Sequence, residues 1–157
     1  MSTPALPETL QSILYQPLFV LELDVTAVQR IGDDSVVGVV GGGKFTGSRI
    51  EGRVLPGGSD WQRVMPDGTV RLDCRIVLQT TDGELIAMTY QGVRSGPADV
   101  LAKLSRGEDV PPDEYYLRIA PFFAAQSKQH AWLNRILAIG SGQRLAKGPI
   151  YNVFELL

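Results

Sequence analysis

A chain of 157 residues, 44% hydrophobic and 20% charged, is the size of one domain and can bury a core without staples. Its net charge of −2 and pI near 5.4 give no basic footprint, so neither nucleic acid nor an anionic membrane is expected as a partner. No apolar run approaches the roughly 20 residues of a membrane helix, and the opening MSTPALPETLQSILYQP lacks the positive and apolar regions of a secretory signal.

Residues 1–16 read as a tail with a short turn around Leu10 to Leu14, and residues 17–157 as a single domain. Pro17 to Arg30 alternates as a strand should, with Phe19, Leu21, Leu23 and Val25 on one face and Glu22 and Asp24 on the other. Ser35 to Val40 and Lys44 to Leu55 follow as strands. Asp60 to Met65 and Val70 to Thr80 are joined by the tight turn Pro66-Asp67-Gly68, and Asp82-Gly83 turns the chain into Glu84 to Tyr90. One helix is expected near Pro97 to Arg106, capped at Ser95-Gly96, with Pro97 in its first turn, an apolar stripe of Val100, Leu101 and Leu104, and Gly107 as its stop. Tyr115 to Phe123, Ala131 to Ile139 and Ile150 to Glu155 complete the strands. Short strands with regular turns give an all-β class, a single antiparallel β-barrel of about 8–10 strands with one short α-helix.

Several patterns resemble catalytic motifs without their working parts. Gly38 to Lys44 (GVVGGGK) has the spacing of a phosphate-binding loop, but Phe45 stands where a hydroxyl residue would hold magnesium, and no helix follows. It is read as a glycine-rich turn between two strands. His130 is the only histidine, no CxxC or HExxH spacing exists, and no metal site is expected. There is no GxSxG elbow, and His130 lies in a polar run, SKQH, read as a solvated loop. The single Cys74 excludes an intrachain disulfide, sits on an apolar strand face as an inert thiol, and agrees with a cytoplasmic location.

The segments PLFVLELDV, GGGKFTGSRIEGRVLPGGSDWQ, LDCRIVLQTTDG, EYYLR and AWLNR together resemble the DUF3237 (UPF0311) proteins, over nearly the whole stretch from Pro17 to Glu155. The resemblance implies a single-domain, mostly β barrel, similar in architecture to the allene oxide cyclase and dirigent barrels. It implies no assigned activity. By analogy with those barrels, which guide cyclisation or coupling, a small hydrophobic or phenolic molecule is expected in the lumen.

The candidate site is built from face-sharing and from the position of residues in these segments. On Val70 to Thr80, Arg71, Asp73 and Arg75 share one face, opposite Val70, Leu72, Cys74, Ile76 and Leu78. The polar face is expected in the lumen, because the apolar face, if exposed, would need a covering helix or partner subunit. The other reading is a solvated ladder worth about a kcal/mol or less. Tyr116 and Arg118 share a face, as do Trp132 and Asn134, and Asp60-Trp61 begins a strand after the Gly57-Gly58 turn. The expected pocket gathers Trp61, Arg71, Arg75, Tyr90, Arg118, Trp132 and Asn134 as substrate contacts. Asp73 orients Arg71 and Arg75 toward a developing oxyanion, Asp60 moves the proton, and Tyr90 or Tyr116 is the acid partner.

This set points to a cofactor-independent lyase, isomerase or cyclase acting on a small, partly aromatic, anionic or carbonyl-containing molecule, with no cofactor expected. The alternatives are a non-catalytic carrier or sensor of a small hydrophobic or phenolic ligand, and a structural homo-oligomer.

Overall fold

Alternation decides inside from outside. Along β5 (Val70–Thr80) every second residue from Val70 to Thr80 is buried, while Arg71, Asp73, Arg75 and Val77 between them are exposed. The computed structural model describes residues 1–157. Its strands are β1 (Tyr15–Arg30), β2 (Ser35–Thr46), β3 (Gly52–Val54), β4 (Gly58–Val64), β5, β6 (Leu85–Ser95), β7 (Tyr116–Ala125), β8 (Ala138–Leu145) and β9 (Gly148–Leu156). A single α-helix, α1 (Ala98–Ser105), lies between β6 and β7.

All neighbours are antiparallel, and β1 pairs with both β2 and β9, so the sheet closes on itself. The ring runs β1–β2–β4–β5–β6–β7–β8–β9, an eight-stranded barrel. Closure removes the unpaired edges on which strands aggregate. β3 belongs to the same wall as β4. Both pair with β2 and with β5, so residues 52–64 form one staggered strand, broken where Gly57 takes φ +109.

The inner faces fill one half of the barrel with apolar side chains. Phe19 meets Phe45 and Phe123 edge to face, with ring centroids 5.4 and 5.9 Å apart, a preferred aromatic geometry. This end is sealed. The other end lies beneath α1, which presents Val100 and Leu104 to the core. The helix stops as the sequence indicates. Gly107, at φ +80, donates to the Leu104 carbonyl and Glu108 to the Lys103 carbonyl, the paired bonds of a glycine-terminated helix. No helix of the chain is long and apolar enough to cross a membrane.

Three expectations about local structure are corrected. GVVGGGK is not a turn; it lies inside β2, opposite the place where the β1–β2 register shifts twice. Gly43 sits there at φ +142, and a methyl group on it would come within 2.1 Å of the Glu22 carbonyl oxygen. The glycines therefore serve a close backbone approach. AWLNR is not a strand; Ala131–Arg135 is a 3-10 turn across the sealed end, and β8 begins only at Ala138. A short apolar run has no periodicity long enough to separate the two. His130 is not solvated. It is 5% exposed, beneath that turn, with Nε2 3.8 Å from the Asp82 carboxylate.

Candidate functional site

Beneath α1 the barrel opens into a cavity of about 760 Å³, within the range of small-molecule sites. Its polar wall comes from four strands: Asp60 and Gln62 on β4, Arg94 on β6, Arg144 on β8 and Tyr151 on β9. Val70, Leu72 and Leu117 supply apolar surface between them, and Leu101 of α1 covers the opening.

Asp60 is the buried carboxyl of this wall. It is 4% exposed, Gln62 Nε2 donates to its Oδ2 at 3.3 Å, and Oδ1 has no hydrogen-bond partner. Burial pushes its carboxyl up to about 6, against the hydrogen bond from Gln62 and the positive charges of Arg94 and Arg144. Arg94 is also buried. Its Nε is unpartnered and its guanidinium joins none of the ion pairs of the structure. Burial, then the neighbouring Arg144, pulls its proton affinity below the usual arginine value. Arg144 is half-buried; its backbone N–H donates to the Tyr115 hydroxyl at 2.8 Å, tying β8 to the start of β7.

Behind Asp60 lie two buried phenols. Tyr90 and Tyr151 meet edge to face at 5.6 Å, and the Tyr90 hydroxyl has no hydrogen-bond partner. Burial holds both phenols well above their ordinary range, as it does the Cys74 thiol, so all three are protonated and uncharged.

Of the residues singled out from the sequence, Asp60 and Tyr90 meet in the lumen. The rest do not join them. Arg71, Asp73 and Arg75 lie on the outer face of β5, because the apolar set Val70 to Leu78 fills the barrel. Trp61 also points outward, 55% exposed, with its indole N–H donating to Ser59 Oγ at 3.2 Å. With Arg71 and Asp73 it lines an outer groove of about 460 Å³. Tyr116 and Arg118 share a face as expected, but the outer one, with the guanidinium 4.9 Å from the ring centroid.

Trp132 and Asn134 lie at the sealed end. Arg49 stacks over Trp132 at 4.7 Å. The Asn134 side chain donates to the Ala125 carbonyl and accepts from the Ala125 N–H, at 2.8 and 2.7 Å, closing the end of β7. Asp73→Asn is therefore expected to move the denaturation midpoint by less than about 0.5 kcal/mol. A loss of several kcal/mol in urea titrations would place Asp73 in a buried network.

Three further residues of this wall carry unequal signals in the sequence. Gln62 and Arg94 are in phase with Asp60 and Tyr90 on their own strands, so strand alternation alone pointed to them. Arg144 lies in the glycine-flanked run GSGQRLAKG, where no hydrophobic alternation marks a strand.

Comparison with known proteins agrees with this architecture. A UPF0311 protein of Rhodopseudomonas palustris is 34% identical over 142 residues, covering 84% of this chain and 93% of that one. The crystal structure of the Rhodopseudomonas palustris protein superposes with a TM-score of 0.90, at 30% identity over 93% of this chain and 98% of that chain. A β-barrel-like protein from Acinetobacter baumannii matches with a TM-score of 0.81 and 36% identity, over 93% and 97% of the two chains. An enzyme from Penicillium herquei shares the fold alone, with a TM-score of 0.65 and 21% identity over the whole of both chains. The sequence model described as a protein of unknown function, DUF3237, matches residues 14–156, and the chain belongs to that family.

Proposed function

We propose that the cavity beneath α1 is the active site of a cofactor-independent lyase, isomerase or cyclase, with Asp60 as its proton-transfer residue. The substrate is a small, partly aromatic, anionic or carbonyl-containing molecule. The observation that carries the reading is Asp60 itself: a buried carboxyl raised to about 6, with one oxygen free of partners, on the wall of a cavity large enough for a ligand. A carboxyl poised there is ionised at neutral pH yet holds a proton more readily than an ordinary aspartate, which suits a general base.

The chemistry follows from its neighbours. Asp60 takes a proton from carbon next to a carbonyl, and the C–H electron pair moves onto the carbonyl oxygen as an enolate. The Arg94 guanidinium, with a donor unused by the protein, stabilises that oxygen. Return of the proton at another carbon gives isomerisation, and loss of a leaving group at the adjacent carbon gives elimination. A solved chain of this fold is an enzyme, so the barrel is a scaffold compatible with catalysis.

The test is a thermal-shift screen of small aromatic ketones and keto acids, followed by exchange of the ligand's α-proton for deuterium, read by NMR. Ligands that raise the midpoint are expected to exchange with the parent. Asp60→Asn is expected to bind them and to lose exchange by at least about 100-fold. Binding without exchange by the parent would make the cavity a carrier site and remove the catalytic reading.

A further inference from the structure

The charge around the cavity is lopsided. Arg30, Arg94, Arg106 and Arg144 line it, and Asp60 is the only acidic residue that does. The chain as a whole carries −2, so the excess of positive charge at this opening runs against the sign of the molecule. Clefts walled by low-dielectric protein focus such a field and draw in ions of opposite sign.

The charges are also ordered along the wall. On the β5–β6 ladder Val70 pairs with Arg94 and Cys74 with Tyr90, and Cys74 pairs across to Asp60 on β4. Asp60 thus lies four residues along the wall from the ladder position of Arg94, while the charges of Arg94 and Arg144 both still reach its carboxyl. The rim is marked by Gly68, where an added methyl would lie 3.5 Å from Leu101 of α1. Arg106 follows α1 and is exposed, its Nε 2.7 Å from Glu108. Arg144 lies within electrostatic reach of both Arg94 and Asp60, with Nη1 on the Leu145 carbonyl. Between these charges and Asp60 the wall is apolar: Val70, Leu72 and Leu117.

We infer that the ligand is a carboxylate that enters tail first, its carboxylate held at the rim by Arg144 and Arg106, its apolar body and reactive carbon reaching down to Arg94 and Asp60. This rests on the assignment of the cavity as the active site and adds the ligand's charged group, its recognition and its direction. The carboxylate takes one Arg fork at Arg144 and displaces Glu108 from Arg106. A neutral molecule of the same shape leaves both unanswered. The unpartnered Arg94 Nε, buried on the cavity wall, then faces the ligand's carbonyl rather than its carboxylate.

β-Benzoylpropionate, which has an aryl ring and ketone at one end and a carboxylate at the other, and its neutral methyl ester are the matched probes, read by calorimetric titration. The acid is expected to bind the parent at least about tenfold more tightly than the ester, a margin that salt should shrink. Arg144→Gln together with Arg106→Gln is expected to erase that preference. Asp60→Asn should keep the preference, because Asp60 sits at the other end. Equal binding of acid and ester by the parent, a preference that survives in the arginine double variant, or binding of neither probe would overturn the inference. Deuterium exchange at the ketone α-carbon of the ester reports on Asp60 independently of the carboxylate. An ester that exchanges as well as it binds, alongside an acid with no advantage, sinks the carboxylate assignment and leaves the active-site assignment standing.

Discussion

Asp60→Asn is expected to make the protein more stable at neutral pH, the reverse of the usual result for a buried side chain. The carboxyl is raised from an ordinary 3.8 to about 6, chiefly by burial. A group that holds its proton more tightly folded than unfolded favours the folded state only while it is protonated. Its contribution is therefore complete below about 3.8, falls as pH rises from there to about 6, and stays lost above. The interval corresponds to about 3 kcal/mol of stability surrendered by the parent at pH 7. Asparagine has no charge to bury and keeps a side-chain oxygen to accept from Gln62. Urea midpoints measured from pH 3.5 to 8 should converge for parent and variant at the acid end, separate between about pH 3.8 and 6, and stay apart above that, with the variant higher. Parallel curves across that range would mean that Asp60 ionises at an ordinary pH and is not desolvated.

Two kinds of information are present in strand alternation, and only one of them was readable. It sorted β5 into Arg71, Asp73 and Arg75 against Val70, Leu72, Cys74, Ile76 and Leu78, and that partition is correct. It carries no sign saying which set faces the lumen. The sign comes from the barrel as a whole: β1, β6, β7 and β9 all send apolar side chains inward, and arginines from β5 among them would be buried without counter-charges. Asp60, marked by its place after the Gly57-Gly58 turn, and Tyr90, marked as an aromatic, both face the lumen. Arg94 is in phase with Tyr90, but it sits at the end of β6 where the chain turns toward α1, and strand alternation is weakest there. The site is thus assembled by closure of the sheet, which sets β4 across the lumen from β8 and β9. Asn134 shows the opposite failure. Its amide matches one backbone donor and one backbone acceptor of Ala125, a structural bond between loop and strand end that no local pattern announces.

Arg94→Met is expected to leave the fold as stable as the parent or more so, while removing ligand binding. The guanidinium is 7% exposed, has no carboxylate within ion-pair distance, and leaves its Nε without a partner. Desolvating a charge without a matched counter-ion costs several kcal/mol, and replacement by an apolar side chain of similar length returns that cost. Methionine is flexible enough to follow the path of the arginine stem against Val70 and Leu117. Asp60 provides a second readout. Arg94 is one of two positive charges that hold its carboxyl down against burial, so in Arg94→Met the carboxyl climbs above about 6. The window in which stability falls with pH then moves upward, and any rate limited by ionised Asp60 needs a higher pH to reach its plateau. Sign discriminates between roles. If Arg94 served the fold, Arg94→Met would lose about 2 kcal/mol or more and the carboxyl would shift only through local unfolding. If it serves a ligand, the midpoint holds or rises, the Asp60 profile moves to higher pH, and affinity for cavity ligands drops by at least about tenfold. Arg94→Lys keeps the charge but not the planar fork, and should restore the Asp60 profile without restoring affinity.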